Sequence, residues 1–84
     1  MVRVLITGGA GFIGSHLVDA LMVRVEEVCV FDNLSTGSLE NVRHWLGSPN
    51  FTFIRGDLLS LMDLGKLEIE RYSLIFHFAA NPEV

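Results

Sequence analysis

The 84 residues carry a formal charge of −4 at pH 7 and a pI of about 5.1, and no basic cluster interrupts that acidic balance. This argues against a nucleic-acid partner, and no apolar stretch approaches the ~20 residues that span a bilayer. A chain this short makes one domain at most and buries only about 60% of its extended surface; with half its residues hydrophobic and a mean hydropathy of +0.45, it is expected to contain elements buried on both sides, or surface that meets something else.

Residues 2–7, VRVLIT, are β-branched and nearly continuous and read as a buried parallel strand. Phe12–Met22 reads as a helix with Ile13, Leu17, Ala20 and Leu21 on one face. Glu27–Asp32, EVCVFD, is a second strand. A second helix is expected over 38–46, where Leu39, Val42, Trp45 and Leu46 fall at helical spacing, and Gly47-Ser48-Pro49-Asn50 breaks it. FTFIRG from Phe51 is a third strand; 59–70 reads as a weaker helix on Leu61, Leu64 and Leu67, with Gly65 against it. SLIFHFAA from Ser73 is a fourth strand, and Asn81-Pro82-Glu83 carries helix-start signals. The order β-α-β-α-β-α-β implies an α/β fold: half of a doubly wound parallel sheet, with right-handed crossovers and strand order 3-2-1-4.

The lone Cys29 has no disulfide partner and no metal ligands at ligand spacing, which fits a reducing compartment. The apolar run at 4–6 breaks into glycines too early for a signal-peptide core. The expectation is a cytoplasmic protein.

Gly8, Gly11 and Gly14 follow the first strand at G-x-x-G-x-x-G spacing, with Gly9 in addition. A dinucleotide pyrophosphate needs unpaired N–H groups at a helix N-terminus and a backbone it can approach closely. In that reading Gly8 makes the turn, Gly11 allows the approach, Gly14 lets helix pack on strand, and Phe12 and Ile13 supply the N–H donors. Asp32, ending the second strand, would accept from the adenosine ribose hydroxyls and repel a 2′-phosphate, so NAD is favoured over NADP; neither Asn33 nor Leu34 supplies an arginine to welcome that phosphate. The plainer alternatives are an ordinary glycine-rich turn and a solvated acid at a strand end.

Together TGGAGFIGSHLVDALM, VFDNLSTG, FIRGDL and LIFHFAA resemble the extended short-chain dehydrogenase/reductase family, most of all its UDP-glucose 4-epimerases and related sugar-nucleotide epimerases and dehydratases. The resemblance implies a Rossmann-type NAD-binding domain. It assigns Gly8, Gly11, Phe12, Ile13 and Gly14 to the phosphate loop, and Asp32, Asn33, Leu34, Ser35, Thr36 and Gly37 to the adenosine-ribose segment. It assigns Asp57 and Leu58 to adenine. Phe78, Ala79 and Ala80 go to the wall beside the pyrophosphate and nicotinamide ribose, with Asn81 and Pro82 at its lip. In the family's reaction a tyrosine takes a proton from a sugar hydroxyl while hydride passes to NAD and back.

The sequence departs from the family in two ways. The usual glycine between the first helix and second strand is missing from residues 23–26, VRVE, so an irregular or extended helix end is expected. The catalytic Tyr-x-x-x-Lys is also absent: Phe76 stands four residues after the only tyrosine, Tyr72, and Met62 stands four before the only lysine, Lys66. Tyr72 reads as a strand-entry residue with its hydroxyl in water. His16, His44 and His77 form no metal triad and read as structural.

Residues 1–84 are therefore expected to be the N-terminal portion of an NAD-binding domain, without catalytic segment or substrate domain: the cofactor-holding part of a sugar-nucleotide 4-epimerase, truncated or split, and inactive alone. A non-catalytic NAD-binding or interaction module is the alternative, and a remnant that binds nothing is a third. Partners would be NAD, and a sugar nucleotide only if the missing C-terminal part is supplied. The apolar strand LIFHF at 74–78 would lie at a sheet edge unless a fifth strand covers it. Leu74, Phe76 and Phe78 would then be exposed there, predicting a homo-oligomer or capture of a complementing C-terminal chain.

Overall fold

A computed structural model describes residues 2–25, 27–34, 37–56 and 71–78. Among these, four strands form one sheet: β1 (Arg3–Thr7), β2 (Glu27–Asp32), β3 (Phe51–Arg55) and β4 (Leu74–His77), in spatial order β3-β2-β1-β4. Every pairing is parallel, with Val4 opposite Val28 and Leu74, and Val28 opposite Phe51. The expected order 3-2-1-4 is the order found. The expected helix at 59–70 and the helix start at Asn81 lie outside the described residues.

The apolar runs of β1 and β2 are explained by burial on both faces. On one face Val4, Ile6, Val28 and Val30 pack with Val18, Met22, Val42 and Phe51. On the other, Leu5, Cys29 and Phe31 pack together, joined by Ile54 and Tyr72. Each fully buried aliphatic or aromatic side chain contributes roughly 1.5–3 kcal/mol, so among the described residues the two central strands hold most of the apolar stabilisation.

Helix α1 (Phe12–Met22) spans the expected residues, but its buried face is turned from the expected one. Gly14, Ser15, Val18 and Met22 face inward; of the expected face Leu17 and Leu21 do pack, half-buried, against the core, whereas Ile13 and Ala20 are exposed. The rotation is set at the first turn. A Cβ on Gly14 would lie 2.5 Å from the Gly8 carbonyl oxygen, so only this position can sit against the loop. Val18 and Met22 follow on the same stripe at i+4 and i+8. The helix ends without a left-handed residue: Val23 keeps right-handed dihedrals, and the amides of Arg24 and Val25 both donate to Leu21 O, at 2.8 and 2.9 Å.

The second connection is a 3-10 helix (Leu39–Trp45), not an α-helix. Its apolar residues Leu39, Val42 and Trp45 recur every third position, and in a 3-10 helix such residues eclipse on one side. The Ser38 hydroxyl caps it by accepting from the Glu40 amide at 3.3 Å. Asp19 of α1 ties it down, accepting from Trp45 Nε1 and His44 Nε2, each at 2.7 Å.

At the N-terminal edge of the sheet, Glu27 receives Arg3 at 3.3 Å and Arg71 at 3.4 Å. Tyr72 is half-buried. Its hydroxyl is hydrogen-bonded to the Cys29 thiol rather than left to water, which corrects the expectation for this residue. Burial is the main reason its pKa is raised far above that of a free tyrosine.

Candidate functional site

The residues singled out in the sequence converge at the C-terminal ends of β1 and β2. Gly8 leaves β1 at φ 75°, a left-handed conformation that costs a glycine nothing, and its amide donates to Phe31 O at 2.8 Å. The chain then folds back, with the Gly11 amide on Gly8 O at 3.1 Å, and α1 begins with Gly11 as N-cap. Gly11 has no side chain to cap the first turn, and that turn carries no acid. The helix end is thus open toward an anion, where unpaired amides and the helix dipole act together. Phe12 and Ile13, whose amides were expected to be donors, have exposed side chains beside this opening. Among the described residues a Cβ on Gly11 would meet only Gly8 O, at 3.3 Å. That contact is tighter than ordinary van der Waals packing, and the atom it meets is backbone.

Asp32 ends β2 and is 7% exposed. Its Oδ2 accepts from the Ala10 amide at 2.9 Å and its Oδ1 from the Leu34 amide at 2.8 Å. A carboxylate has about four acceptor sites, so lone pairs remain for a ligand hydroxyl. Leu34 takes φ 63° to reach this position, a strained conformation costing roughly 1–2 kcal/mol in a residue with a Cβ. Asn33 beside it is exposed. Gly37 lies directly against the loop: a Cβ there would stand 2.6 Å from both the carbonyl carbon and the oxygen of Ala10.

Three further residues belong to this assembly that the sequence did not single out. The Ala10 carbonyl accepts from Asn41 Nδ2 at 2.7 Å and from the Ser38 amide at 3.1 Å. Ala10 is thus held through its carbonyl by the β2–β3 connection and through its amide by Asp32. The only trace in the sequence is a Ser-x-x-Asn spacing with no established meaning.

At the boundary where β1 leads toward β2 on one side and meets β4 on the other, Thr7 Oγ1 and His77 Nδ1 share a 2.6 Å hydrogen bond, and the Phe78 amide donates to Thr7 O at 2.7 Å. Open parallel sheets bind ligands at this kind of crossover. Ser35, Thr36, Asp57, Leu58, Ala79 and Ala80, together with Asn81 and Pro82, lie outside the described residues. Among the described residues no cluster of histidine, cysteine or carboxylates could hold a metal, and no helix is long and apolar enough to cross a membrane.

Three proteins are similar to this chain in sequence or fold. UDP-glucuronic acid decarboxylase 4 of Arabidopsis thaliana is 48% identical over 79 residues, 94% of this chain and 16% of the relative. A crystal structure of dTDP-glucose 4,6-dehydratase from Bacillus anthracis in complex with NAD superposes with a TM-score of 0.85 at 33% identity, covering 96% of this chain and 27% of that one. A UDP-glucose 4-epimerase from Thermus thermophilus, also in complex with NAD, gives a TM-score of 0.79 at 44% identity, covering 95% and 24%. The chain thus spans only about a sixth of the decarboxylase's length. The family model described as NAD dependent epimerase/dehydratase matches residues 4–84, and this chain belongs to that family.

Proposed function

We propose that this chain holds NAD for a sugar-nucleotide enzyme, with the pyrophosphate on the amides that open α1 and the adenosine ribose on Asp32. The observation that carries this reading is the uncapped first turn of α1 beside a buried strand-end carboxylate, on a loop fixed from both sides. NAD bound there would supply reversible hydride transfer. The protein's own residues bind and orient. Gly8, Gly11, Phe12, Ile13 and Gly14 form the phosphate loop. Asp32, Asn33, Leu34, Ser35, Thr36 and Gly37 are assigned to the adenosine ribose. Asp57 and Leu58 are assigned to adenine, and Phe78, Ala79 and Ala80 to the wall beside the nicotinamide ribose.

The finer reading is a 4-epimerase, supported by 44% identity to the Thermus thermophilus enzyme. A decarboxylase is the second reading, favoured by 48% identity to the Arabidopsis protein. The 84 residues contain no Tyr–Lys pair at one-turn spacing, so the chain by itself is proposed to bind cofactor without turning over substrate. A non-catalytic NAD-dependent module differs in its outcome: adding the remaining polypeptide would then restore no activity.

The test is calorimetric titration of NAD into the parent chain and Gly11→Val. Gly11 has φ −74° and ψ 172°, an extended conformation any residue adopts, but a Cβ there stands 3.3 Å from Gly8 O, so thermal unfolding of both proteins accompanies the titration to show that the valine variant is folded. Strong loss of NAD binding in Gly11→Val is expected. Equal affinity in the two proteins refutes the assignment.

Association is proposed at β4, the last strand of the sheet among the described residues. Leu74, Ile75 and Phe78 are 47%, 49% and 39% exposed, and Phe76 packs against the core instead of standing free. The occupant is the polypeptide that makes up the rest of the family fold, of which this chain covers about a quarter in the solved relatives. Addition of that polypeptide should give a sedimenting complex that Ile75→Lys disrupts. Self-association of the chain alone, abolished by Ile75→Lys, would make a second copy the occupant.

A further inference from the structure

The Ala10–Gly11 peptide is pinned at both ends, with its carbonyl on the β2–β3 connection and its amide on the glycine turn. Ala10 O takes hydrogen bonds from Asn41 Nδ2 and the Ser38 amide, while the Gly11 amide of the same plane is committed to Gly8 O. The preceding amide, on Ala10, is committed to Asp32. Turning this plane over would bring the Ala10 carbonyl against Gly8 O and break the turn that starts α1. Two carbonyl oxygens repel, so the turn that presents the first amides of α1 holds only while Ala10 O is kept on its own donors.

We propose that Asn41, a surface residue of the 3-10 helix, is a positioning residue for the dinucleotide pyrophosphate: by holding Ala10 O it keeps the glycine loop in its anion-accepting form. This rests on the reading of the loop as a pyrophosphate site. Asn41 lies 31 residues from Ala10 in sequence, and its 2.7 Å contact is shorter than the 3.1 Å contact from Ser38. A side-chain amide is suited to the task. It donates to the carbonyl without adding charge beside an anion, and its backbone amide is separately anchored on Ser38 O at 3.0 Å. Gly37 completes the clamp, since only a residue without Cβ lets this segment rest on the Ala10 carbonyl group.

A purely structural tie would weaken every ligand alike, through stability. A positioning role acts on phosphate. The experiment compares parent and Asn41→Ala for binding of NAD and of adenosine, which carries no phosphate, with thermal unfolding and amide hydrogen exchange of the unliganded proteins. Because the Ser38 amide still satisfies Ala10 O, the thermal midpoint should move little. NAD affinity should fall about three- to tenfold, the size of one modest hydrogen bond, and Gly11 amide exchange should quicken by a similar factor. Adenosine affinity should stay unchanged. Gly37→Ala, which wedges the clamp open, should weaken NAD further. Unchanged NAD affinity in Asn41→Ala, or equal weakening of NAD and adenosine with a lowered midpoint, overturns the proposal. A parent chain that binds no NAD overturns the ligand assignment itself and this role with it, and is told apart by failing before any substitution.

Discussion

The Asp32 carboxylate and the Ala10 amide, 22 residues apart, meet at 2.9 Å in the interior of the protein. This contact joins the end of β2 to the loop that follows β1. It makes Asp32 a brace for the glycine loop as well as a candidate acceptor for a ribose.

Asp32→Ala should therefore act twice. Two backbone amides lose their acceptor, and an unsatisfied buried donor costs roughly 1–3 kcal/mol, which denaturant unfolding will read. Removing the carboxylate should also narrow the preference for NAD over NADP. A parent chain that binds NADP more tightly than NAD contradicts the ribose role.

Gly14→Ala separates helix propensity from packing. Propensity favours alanine inside a helix by about 1 kcal/mol. Packing opposes it, because the new Cβ would sit 2.5 Å from Gly8 O and 2.9 Å from Gly9 Cα, and both are backbone atoms that cannot swing aside. Overpacking of this kind costs about 1–3 kcal/mol, so the expected outcome is net destabilisation in chemical unfolding. A stabilised variant would show that the close approach is slack.

Acid should loosen the tie between α1 and the 3-10 helix. Burial alone would raise the Asp19 carboxyl, but hydrogen bonds from Trp45 and His44, aided by the charges of His44 and His16, outweigh it and hold the pKa below the ordinary 3.8. A carboxyl depressed in the fold contributes stability above its unfolded pKa and loses it as pH falls through the folded value. The parent's thermal midpoint should drop below about pH 4, and Asp19→Asn should flatten that limb. Identical acid limbs would remove Asp19 from the account.

At alkaline pH the opposite face of the sheet should fail. Burial pushes the Cys29 thiol above its ordinary 9.0, against a hydrogen bond from Tyr72 that pulls the other way. Burial and that same bond raise Tyr72 above its ordinary 10.0. Both groups are favoured in protonated form by the fold, so their contribution is complete below the unfolded values and is lost as pH climbs through the folded ones. Stability should decline above pH 9, less steeply in Tyr72→Phe. Cys29, wholly buried, should resist iodoacetamide until the chain unfolds.

Strand positions, sheet order and the glycine turn were legible because each rests on local chemistry, although β1, β3 and β4 are shorter than the runs that signalled them. β-branched runs ending in Thr7 and Asp32 specify parallel strands, and Gly8 marks a turn no other residue enters cheaply. The rotation of α1 was not legible from its apolar periodicity, which pointed to Ile13 and Ala20. What fixes it is Gly14 against Gly8 O, a contact between two residues without side chains. The 3-10 form of Leu39–Trp45 was written in a three-residue repeat that resembles helical spacing over so short a span. Asn41 left no usable signal, since its role depends on a carbonyl 31 residues away.

The place of β1 in the sheet governs when this structure can form. Although first in the chain, it pairs on one side with β4, and the Thr7–His77 bond spans 70 residues. During synthesis at about 5–20 residues per second, roughly 4–14 s must pass between the appearance of Thr7 and that of its partner. Through that interval β1 can pair with β2 alone, leaving its other ladder of amides and carbonyls open. Non-local parallel pairing of this kind is slow and exposed to aggregation. A nascent chain halted after β3 is therefore expected to be a better substrate for chaperones than the same chain carried on through β4.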